Sequence, residues 1–594
     1  MTDQQEPTTP APMTPEPMTP EPMPDARLQA AATPGPAAGS GRMRWVVALT
    51  AAAAVVVAIV LVVLYVGKGS TATVTTSYLP ATTVAYVDVR LDLPGGQREQ
   101  VAALLSRFPG FADQAALDAK LTDTFDRLLL SATKNIYSYS ADVKPWFGGR
   151  VALALVGLPT AVSGGSAAAV PPVLGLFSVA DATTARAELD HLLKSMSDAG
   201  TTVKSEAIDG ATLWTIDDPK AATLAEGHAV VALTDNMLIV GAQDALVRSS
   251  VALGRGTGQT LAASATYSAA VSGLPDARLG TVYVDGATLK LALAALATST
   301  PGLDTALAGL PDRVAGSIRA ADGALTAEVR LSAPTGTATP LISGRASAIA
   351  DHVPGDAVAF VSVNDFGAVV DGLLKDARPQ LETAIGADQL KTVEALLGVP
   401  LETYFEWAGD AALAVRVSGS SPGAAVVALA SDTAKAQSRL SQLGTIVTLA
   451  SLAPNSGIHV ATTDHGGTKI TELTLDQSAG LKIGWALRDD LFVLGVGEGS
   501  VAWVLDTTPQ TALSKSPAYV AALAAAGAKA GQGRLYVDVV GLRTGLEAVI
   551  PAGSRAQYEL AVKPWLAPLT TFVSVGYLDG DTLVIRSTLS TQPK

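Results

Sequence analysis

The sequence of 594 residues contains no cysteine. This absence excludes disulfide bonds, thiol nucleophiles, cysteine-ligated zinc and iron–sulfur clusters. Histidine is also scarce, with five residues, and none has a second histidine at the short spacing of a zinc motif. The sequence therefore predicts no cofactor and no metal site, and it identifies no catalytic residue.

Basic residues are fewer than acidic ones, with 41 Lys and Arg against 54 Asp and Glu, which gives a net charge of −13. Binding to nucleic acid needs a basic surface that neutralises phosphates, so a nucleic-acid partner is not expected. Adhesion to anionic lipid headgroups is disfavoured for the same reason. With 48% hydrophobic residues, the chain otherwise has the composition and length of a protein with buried cores.

The N-terminal segment 1–44 is rich in proline and poor in large apolar side chains. Proline fixes φ and lacks a backbone donor, so neither helices nor sheets propagate through such a segment. The composition predicts a disordered tail. Four Thr-Pro pairs, at Thr9, Thr14, Thr19 and Thr33, make phosphorylation of this tail a hypothesis.

Residues 45–66 form a stretch of 22 residues without a charge. An α-helix of this length spans about 33 Å, enough for the roughly 30 Å hydrocarbon core of a bilayer. Trp45 and Tyr65 lie near its ends, where aromatic side chains favour the membrane interface. The sequence predicts a transmembrane helix that contacts the lipid bilayer, followed by a stalk at 67–77; a buried soluble helix is the alternative.

The charges on either side of this stretch predict its orientation. Arg27, Arg42 and Arg44 precede it and only Lys68 follows closely. By the positive-inside rule, the N-terminus is cytoplasmic and the long C-terminal part lies outside the cytoplasm of a single-pass cell-membrane protein. The stretch is longer than the apolar region of a cleaved signal peptide, although cleavage after Ala72 stays open.

The rest of the chain contains an internal repeat. Seven short segments recur in the same order at offsets of about 250 to 275 residues, among them those that begin at Trp146 and Trp407. They define two copies, 78–333 and 351–590. The Pro-, Thr-, Gly- and Ser-rich segment between them, 334–350, is predicted to be a linker.

Each copy alternates strand and helix signals. Asp181 and Asp432 are predicted N-caps for helices over 182–196 and 433–446, and Arg488-Asp-Asp490 is a predicted hairpin turn. Short apolar, β-branched runs predict strands over 84–89, 151–156, 173–179, 228–233 and 279–284. The predicted fold class is α+β: two tandem copies of a mixed module with largely antiparallel sheets, preceded by one transmembrane helix and a disordered tail.

Four segments of the first copy resemble a known family: Tyr78-Leu-Pro80, 84–89, 97–111 (QREQVAALLSRFPGF) and 142–148 (DVKPWFG). Together they are similar to the bacterial domain-of-unknown-function family 3352. The resemblance implies a membrane-anchored envelope protein and implies no activity. The second copy departs from it, since Tyr404-Phe-Glu-Trp-Ala-Gly replaces the last segment and Phe-Pro-Gly-Phe has no equivalent.

Three patterns that resemble chemical sites have simpler interpretations. Gly419-Ser-Ser-Pro-Gly423 matches the nucleophile elbow of hydrolases, but strand signals on both sides indicate a hairpin loop. Gly495-Val-Gly-Glu-Gly499 lies between a strand and a helix, yet it lacks the last glycine of a phosphate-binding loop and carries a repulsive glutamate. His459 and His465, with Asp464 between them, are a conceivable but weak metal pair.

The leading functional hypothesis is a non-enzymatic, membrane-anchored, extracytoplasmic binding or interaction module of the cell envelope. Its partner would be an unknown envelope protein, or an apolar ligand held in a crevice between the two copies. One alternative is a transmembrane sensor that signals through a phosphorylatable tail. The other is an envelope hydrolase with dispersed Ser, Asp or His residues.

Overall fold

The computed structural model describes residues 74–592, apart from 110, 112–116, 133–136, 158–171, 219–227, 298–306, 308–309, 333–343, 418–421, 455 and 477–480. The predicted disordered tail at 1–44 and the predicted transmembrane helix at 45–66 therefore lie outside the described residues.

Each half of the described chain contributes ten strands. The strands are β1 (Ala85–Arg90), β2 (Phe147–Leu155), β3 (Val173–Val179), β4 (Thr202–Ile208), β5 (Ala211–Asp217), β6 (His228–Leu233), β7 (Met237–Gly241), β8 (Gly280–Asp285), β9 (Arg313–Ala321), β10 (Ala324–Ser332), β11 (Ala359–Val363), β12 (Ala408–Arg416), β13 (Gly423–Ala430), β14 (Ile458–His465), β15 (Thr468–Leu475), β16 (Leu481–Arg488), β17 (Leu491–Val496), β18 (Gly533–Asp538), β19 (Leu569–Asp579) and β20 (Thr582–Thr591).

Helices lie between these strands. They are α1 (Gln97–Leu105), α2 (Leu117–Ala132), α3 (Ala182–Asp198), α4 (Asp244–Gly254), α5 (Ala265–Val271), α6 (Gly286–Ala297), α7 (Phe366–Ile385), α8 (Ala387–Leu397), α9 (Thr433–Ser451), α10 (Ser500–Leu505), α11 (Pro517–Ala525), α12 (Val539–Val549), α13 (Ala552–Ala561) and α14 (Lys563–Leu566). Short 3₁₀ turns include Thr75–Tyr78, near the start of the described chain, and Tyr139–Val143 is a π-helical turn.

The two halves have the same sheet topology. In the first, the strands lie side by side in the order β4-β5-β6-β7-β3-β2-β1-β8-β9-β10. In the second, the order β14-β15-β16-β17-β13-β12-β11-β18-β19-β20 repeats it strand for strand. Every pair is antiparallel. The internal repeat read from the sequence therefore corresponds to a repeated topology.

The predicted fold class is wrong in its main point, because the two copies do not form separate sheets. The last strands of the two halves, β10 and β20, pair antiparallel along nine residues from Ala324↔Ser590 to Ser332↔Thr582. They join both halves into one antiparallel sheet of twenty strands. The physical reason is that β10 and β20 are the outermost strands of their halves, and an unpaired edge exposes a row of backbone donors and acceptors.

The same prediction placed one transmembrane helix before the two copies. Within the described ranges, no helix has both the length and the apolar character needed to cross a bilayer.

Matching aromatic trios lie in the cores of the two halves. In the first, Tyr267 makes edge-to-face contacts with Tyr86 and Tyr283, with ring centroids 6.1 and 5.1 Å apart. In the second, Phe360, Tyr519 and Tyr536 repeat the arrangement, with centroids 6.0 and 5.1 Å apart. In the first half, this face of the sheet is covered by α4 and α5, and the opposite face by α3. In the second half, the corresponding helices are α10 and α11 on this face and α9 on the opposite face.

Several local predictions are confirmed. Helix α3 begins at Ala182 with the Asp181 side chain accepting hydrogen bonds from the backbone of Thr183 and Thr184, and α9 begins at Thr433. Strands β3 and β6 have the predicted bounds, and β16 and β17 form the predicted hairpin around Asp489, which has a φ of 54°. These elements depend on nearby residues, which explains the agreement.

The cap of α9 allows a direct test. The Asp432 carboxylate accepts a hydrogen bond of 3.0 Å from the backbone N–H of Lys435. Replacing Asp432 with alanine leaves that donor without its partner and is expected to cost about 1 kcal/mol of unfolding free energy. Thermal denaturation of D432A beside D432N measures the effect, because asparagine can still cap the helix. Equal loss in both variants would contradict the capping role.

Candidate functional site

The joint between the halves is the place where the sequence analysis expected a binding crevice. A pseudo-twofold axis passes through it. Glu328 is the fifth residue of β10 and Arg586 the fifth of β20, and these two equivalent positions pair with each other across the joint. The duplicated halves therefore meet as two subunits of a symmetric dimer would, but with opposite charges at the axis.

A buried charged cluster surrounds this axis. The Glu328 carboxylate accepts hydrogen bonds from Arg330 Nη1 at 3.1 Å and from Arg586 Nε at 2.9 Å. Arg330 also donates to Asp579 Oδ2 at 2.5 Å, and Arg586 donates to the Tyr577 hydroxyl at 2.9 Å. The Glu328 side chain is only 6% exposed. Each half thus supplies one arginine to a single shared carboxylate.

Hydrogen bonding keeps Arg330 charged despite burial. For Arg330, burial acts to lower the pKa, but hydrogen bonds to Asp579 and Glu328 outweigh it and raise the pKa above its usual value. The buried Glu328 carboxylate is thus engaged by an arginine from each half. Its evident effect is to hold β10 and β20 together.

Two cavities are found among the described residues. Beside the joint, a cavity of about 30 Å³ is lined partly by Arg313, Arg330 and Thr582. That volume accommodates one or two water molecules but no larger ligand. A second, shallow depression of about 400 Å³ lies on α7, around Pro379 and Thr383, away from the joint.

The opposite face of the joint is apolar and is covered by elements from both halves. Leu331 and Leu583 are buried there, and α1 packs nearby over Ile318 and Leu325. Arg107, just after α1, bridges the halves by donating to the Gly323 carbonyl and to the Thr591 hydroxyl.

A second ionic feature lies inside the first half. Arg150 forms a bidentate pair with Asp88, with Nε–Oδ1 at 2.9 Å and Nη2–Oδ2 at 2.6 Å. The Asp88 side chain is 1% exposed. Burial acts to lower the pKa of Arg150, but hydrogen bonding to Asp88 overcomes this and raises it. Both charges are satisfied by each other, which is typical of a structural pair.

The second half uses different residues at the same place. Asp410 occupies the register position of Arg150, and Ser362 that of Asp88. Asp410 pairs with Arg345, which comes from the segment that leads into the second half. Burial acts to raise the pKa of Asp410, but hydrogen bonds from Ser347 and Asn364 lower it below its usual value.

The sequence-derived candidates do not converge on a site. Ser420 and Ser421 lie outside the described residues, but β12 ends at Arg416 and the next element, β13, is an antiparallel strand rather than the helix a nucleophile elbow requires. Gly495–Gly499 does form a strand-to-helix turn, in which Glu498 pairs with Lys482 at 2.8 Å. That carboxylate remains unfavourable for phosphate.

The histidines are dispersed. His459 and His465 lie at opposite ends of β14, where they contact Asp476 at 2.9 Å and Asp506 at 2.7 Å, respectively. His228 contacts Asp217 at 2.7 Å in the first half. Across the part of the chain that the structure describes, no three His, Asp or Glu side chains are grouped to hold a metal ion.

Trp146 and Trp407, which recur at matching places in the two copies, are packing residues. Trp146 is buried and donates its indole N–H to the Asp142 carbonyl at 2.7 Å. Trp407 is buried against Phe492 in an edge-to-face contact. Neither ring is available for stacking on a ligand.

The sequence analysis missed the charged joint and an exposed apolar surface near the C-terminus. Glu328 and Arg330 are charged residues two apart within one strand, which places them on one face of the sheet. That spacing was a usable signal. The C-terminal surface was not visible in the same way, because apolar residues in α12 to α14 resemble any core-facing helix in sequence.

Comparison with known proteins identifies one family. A family model described as "Protein of unknown function (DUF3352)" matches residues 45–573. No curated protein and no solved structure matches the chain.

Proposed function

The chain belongs to the DUF3352 family, whose description assigns no activity, and we propose that it is a non-enzymatic interaction module of the cell envelope. In this proposal residues 45–66 tether it to the cell membrane, and the twenty-stranded sheet lies outside the cytoplasm, where it docks a protein partner. The tether is supported by the charge-free sequence of residues 45–66 and by the positive residues that precede it.

One observation carries the docking function. Five large apolar side chains are exposed between residues 546 and 565, on helices α12 to α14 and the residue that joins α13 to α14: Leu546 at 52%, Val549 at 62%, Leu560 at 84%, Val562 at 44% and Trp565 at 48%. We call them the C-terminal apolar surface. Single exposed apolar residues are common, but five within 20 residues of sequence favour a binding surface.

Polar contacts hold the helices beneath this surface in place. Glu547 accepts a hydrogen bond of 2.9 Å from the Tyr558 hydroxyl, and this contact together with Lys563 lowers the pKa of its carboxyl. Arg543 donates to the Leu566 carbonyl at 3.0 Å. The three helices are therefore tied by their polar groups while the apolar side chains remain in solvent, which pre-organises the surface for a partner.

The surface includes a contact between the two halves. The Trp565 ring lies 6.3 Å from both Phe108 and Phe111 of the first half, measured between ring centroids. Tryptophan is among the residues most enriched at the centre of protein interfaces. A protein partner fits these observations better than a small apolar ligand, since the cavity at the joint holds only about 30 Å³.

Site-specific photo-crosslinking in the native envelope tests the docking function. A photoreactive residue at position 560 of the full chain is expected to yield one discrete protein adduct. L546D with V549D should reduce that adduct tenfold or more, because both side chains are more than half exposed and lie on the adjoining helix. L452D is the matched control, since Leu452 is 74% exposed at the end of α9, away from the C-terminal apolar surface. An adduct that withstands L546D with V549D would contradict the proposal.

Protease accessibility tests the location separately. Protease added to intact, wall-stripped cells should digest the region after residue 74 and spare the proline-rich N-terminal segment. Survival of the sheet region under these conditions, or its recovery from the cytosol free of membrane, would contradict the tether.

A further inference from the structure

The outermost strands of the twenty-stranded sheet are β4 and β14. Within the described residues, β4 pairs only with β5, and β14 pairs only with β15. Each therefore has one row of backbone N–H and C=O groups that the sheet does not use. Such an edge is a template for pairing with another strand, and many proteins block theirs with a bulge, a proline or charges.

The sequence of β4 is complementary to itself. When a strand pairs antiparallel with its own copy, a twofold axis perpendicular to the sheet relates the two strands. Paired side chains must lie on the same face of the sheet, so the axis passes beside one central residue, which pairs with its own copy. About Ser205, all seven residues of β4 pair: Thr202 with Ile208, Val203 with Ala207, and Lys204 with Glu206. The register thus creates two cross-strand pairs of opposite charge.

The side chains are placed for this pairing. Lys204, Ser205 and Glu206 are exposed, and Lys204 forms no ion pair within the described part of the chain. Glu206 is held by Arg248 of α4 at 2.5 Å. A lone lysine on an edge strand prevents association, whereas a lysine two residues before a glutamate attracts a second copy of the same strand.

The opposite edge provides an internal comparison. The two most complete registers of β14 with its own copy centre on Ala461 or Thr462. The first sets Asp464 against Ile458, and the second sets it against Val460 and sets His459 against His465. Neither register creates a pair of opposite charge, so the self-complementarity is a property of β4 and not of the repeated fold.

We propose that two copies of this chain associate through antiparallel pairing of their β4 strands. The position of residue 74, the first described residue, agrees with this arrangement. The described chain begins beside α4, where Ser250 donates to the Tyr78 carbonyl at 2.6 Å, and α4 also carries Arg248 to Glu206. A twofold axis perpendicular to the sheet keeps residue 74 of both copies on the same face, as two chains tethered to one membrane through residues 45–66 require. This last argument rests on the proposed tether; the pairing itself does not.

The absence of cysteine makes a direct test possible in the full chain in detergent micelles. In the proposed dimer, residue 205 faces its own copy at a Cα separation of about 5 Å, which a disulfide can bridge. Under oxidation, S205C is expected to form a disulfide-linked dimer. A thiol reductant should break this cross-link. A207C is the matched control, because position 207 lies about 14 Å from its own copy in this register. T462C tests the other edge in the same way.

Charge variants test the register. K204E and E206K should each weaken self-association tenfold or more, since each replaces both attractive pairs with like charges. Mixing the two variants should restore association as a heterodimer, because every Glu then faces a Lys. Light scattering after size exclusion measures the mass, and circular dichroism checks that each variant is folded.

Cross-linking at 205 but not at 207, together with recovery on mixing, supports the proposal. A monomeric wild-type chain, equal cross-linking at 207, cross-linking at 462 alone, or a disulfide adduct of the S205C variant with a different protein would overturn it. The C-terminal apolar surface takes no part in this experiment, so loss of the β4 dimer and loss of the adduct at position 560 are distinguishable failures.

Discussion

Replacing Asp88 with leucine is expected to lower the free energy of unfolding by about 3–5 kcal/mol, because it removes one partner of a buried ion pair and leaves the other. The Asp88 side chain is 1% exposed and Arg150 is 11% exposed. Two hydrogen bonds, of 2.9 and 2.6 Å, join them. The Arg150 guanidinium would lose both hydrogen bonds and remain buried without its paired carboxylate.

A double variant separates the cost of the unpaired charge from the value of the pair. D88L with R150M removes both charges and fills the space with apolar side chains. Such replacements of a buried pair are often neutral or stabilising, so the double variant should recover most of the stability that D88L loses. Chemical denaturation of the three proteins gives the comparison. A double variant no more stable than D88L would show that packing, and not the unpaired arginine, causes the loss.

Replacing Glu328 with leucine is expected to have an effect of similar size, about 3–5 kcal/mol, at the joint between the halves. Glu328 is the shared acceptor for Arg330 and Arg586, and without it the two guanidinium groups face each other across β10 and β20. Arg330 keeps Asp579, but Arg586 loses the only carboxylate partner that it has among the described residues.

The location of Glu328 predicts a distinctive calorimetric result. Because the cluster joins two halves that each have their own core, E328L should separate the unfolding of the halves into two heat-absorption peaks. The double variant E328L with R586L also removes the unpaired charge of Arg586. It should restore a single unfolding transition at a higher temperature than the transitions of E328L. T326V is the control, since Thr326 lies on the same face of β10 and contributes one hydroxyl contact with Thr588 at 3.2 Å. Identical profiles for E328L and T326V would contradict the coupling role.

The local elements were predictable because their signals are local. The bounds of β3 and β6 and the start of α3 follow from apolar runs and a capping aspartate within a few residues. The repeat was also readable, since a duplicated sequence keeps its segments in order. The DUF3352 resemblance rested on such segments, and the family match confirms it.

The candidate sites were less predictable, because each depends on residues far apart in the chain. Asp88 and Arg150 are 62 positions apart, and Glu328 and Arg586 are 258 apart. A charged residue in a strand can lie in solvent or beside a partner, and its neighbours in sequence do not distinguish the two. The same limit applies to Leu546 and Val549, whose exposure depends on what packs over α12.

By itself, the sequence determined strands such as β3 and β6, the starts of α3 and α9, the turn at Asp489 and the existence of two copies, since hydrophobic periodicity, caps and turn residues act over a few positions. Only the tertiary structure decided that the copies share one sheet. That outcome depends on which strand of each half is left at an edge, and the edges are known only after each half has folded. The tertiary structure also decided that β10 and β20 pair directly at the joint between the copies, with the charged cluster around Glu328 at its centre.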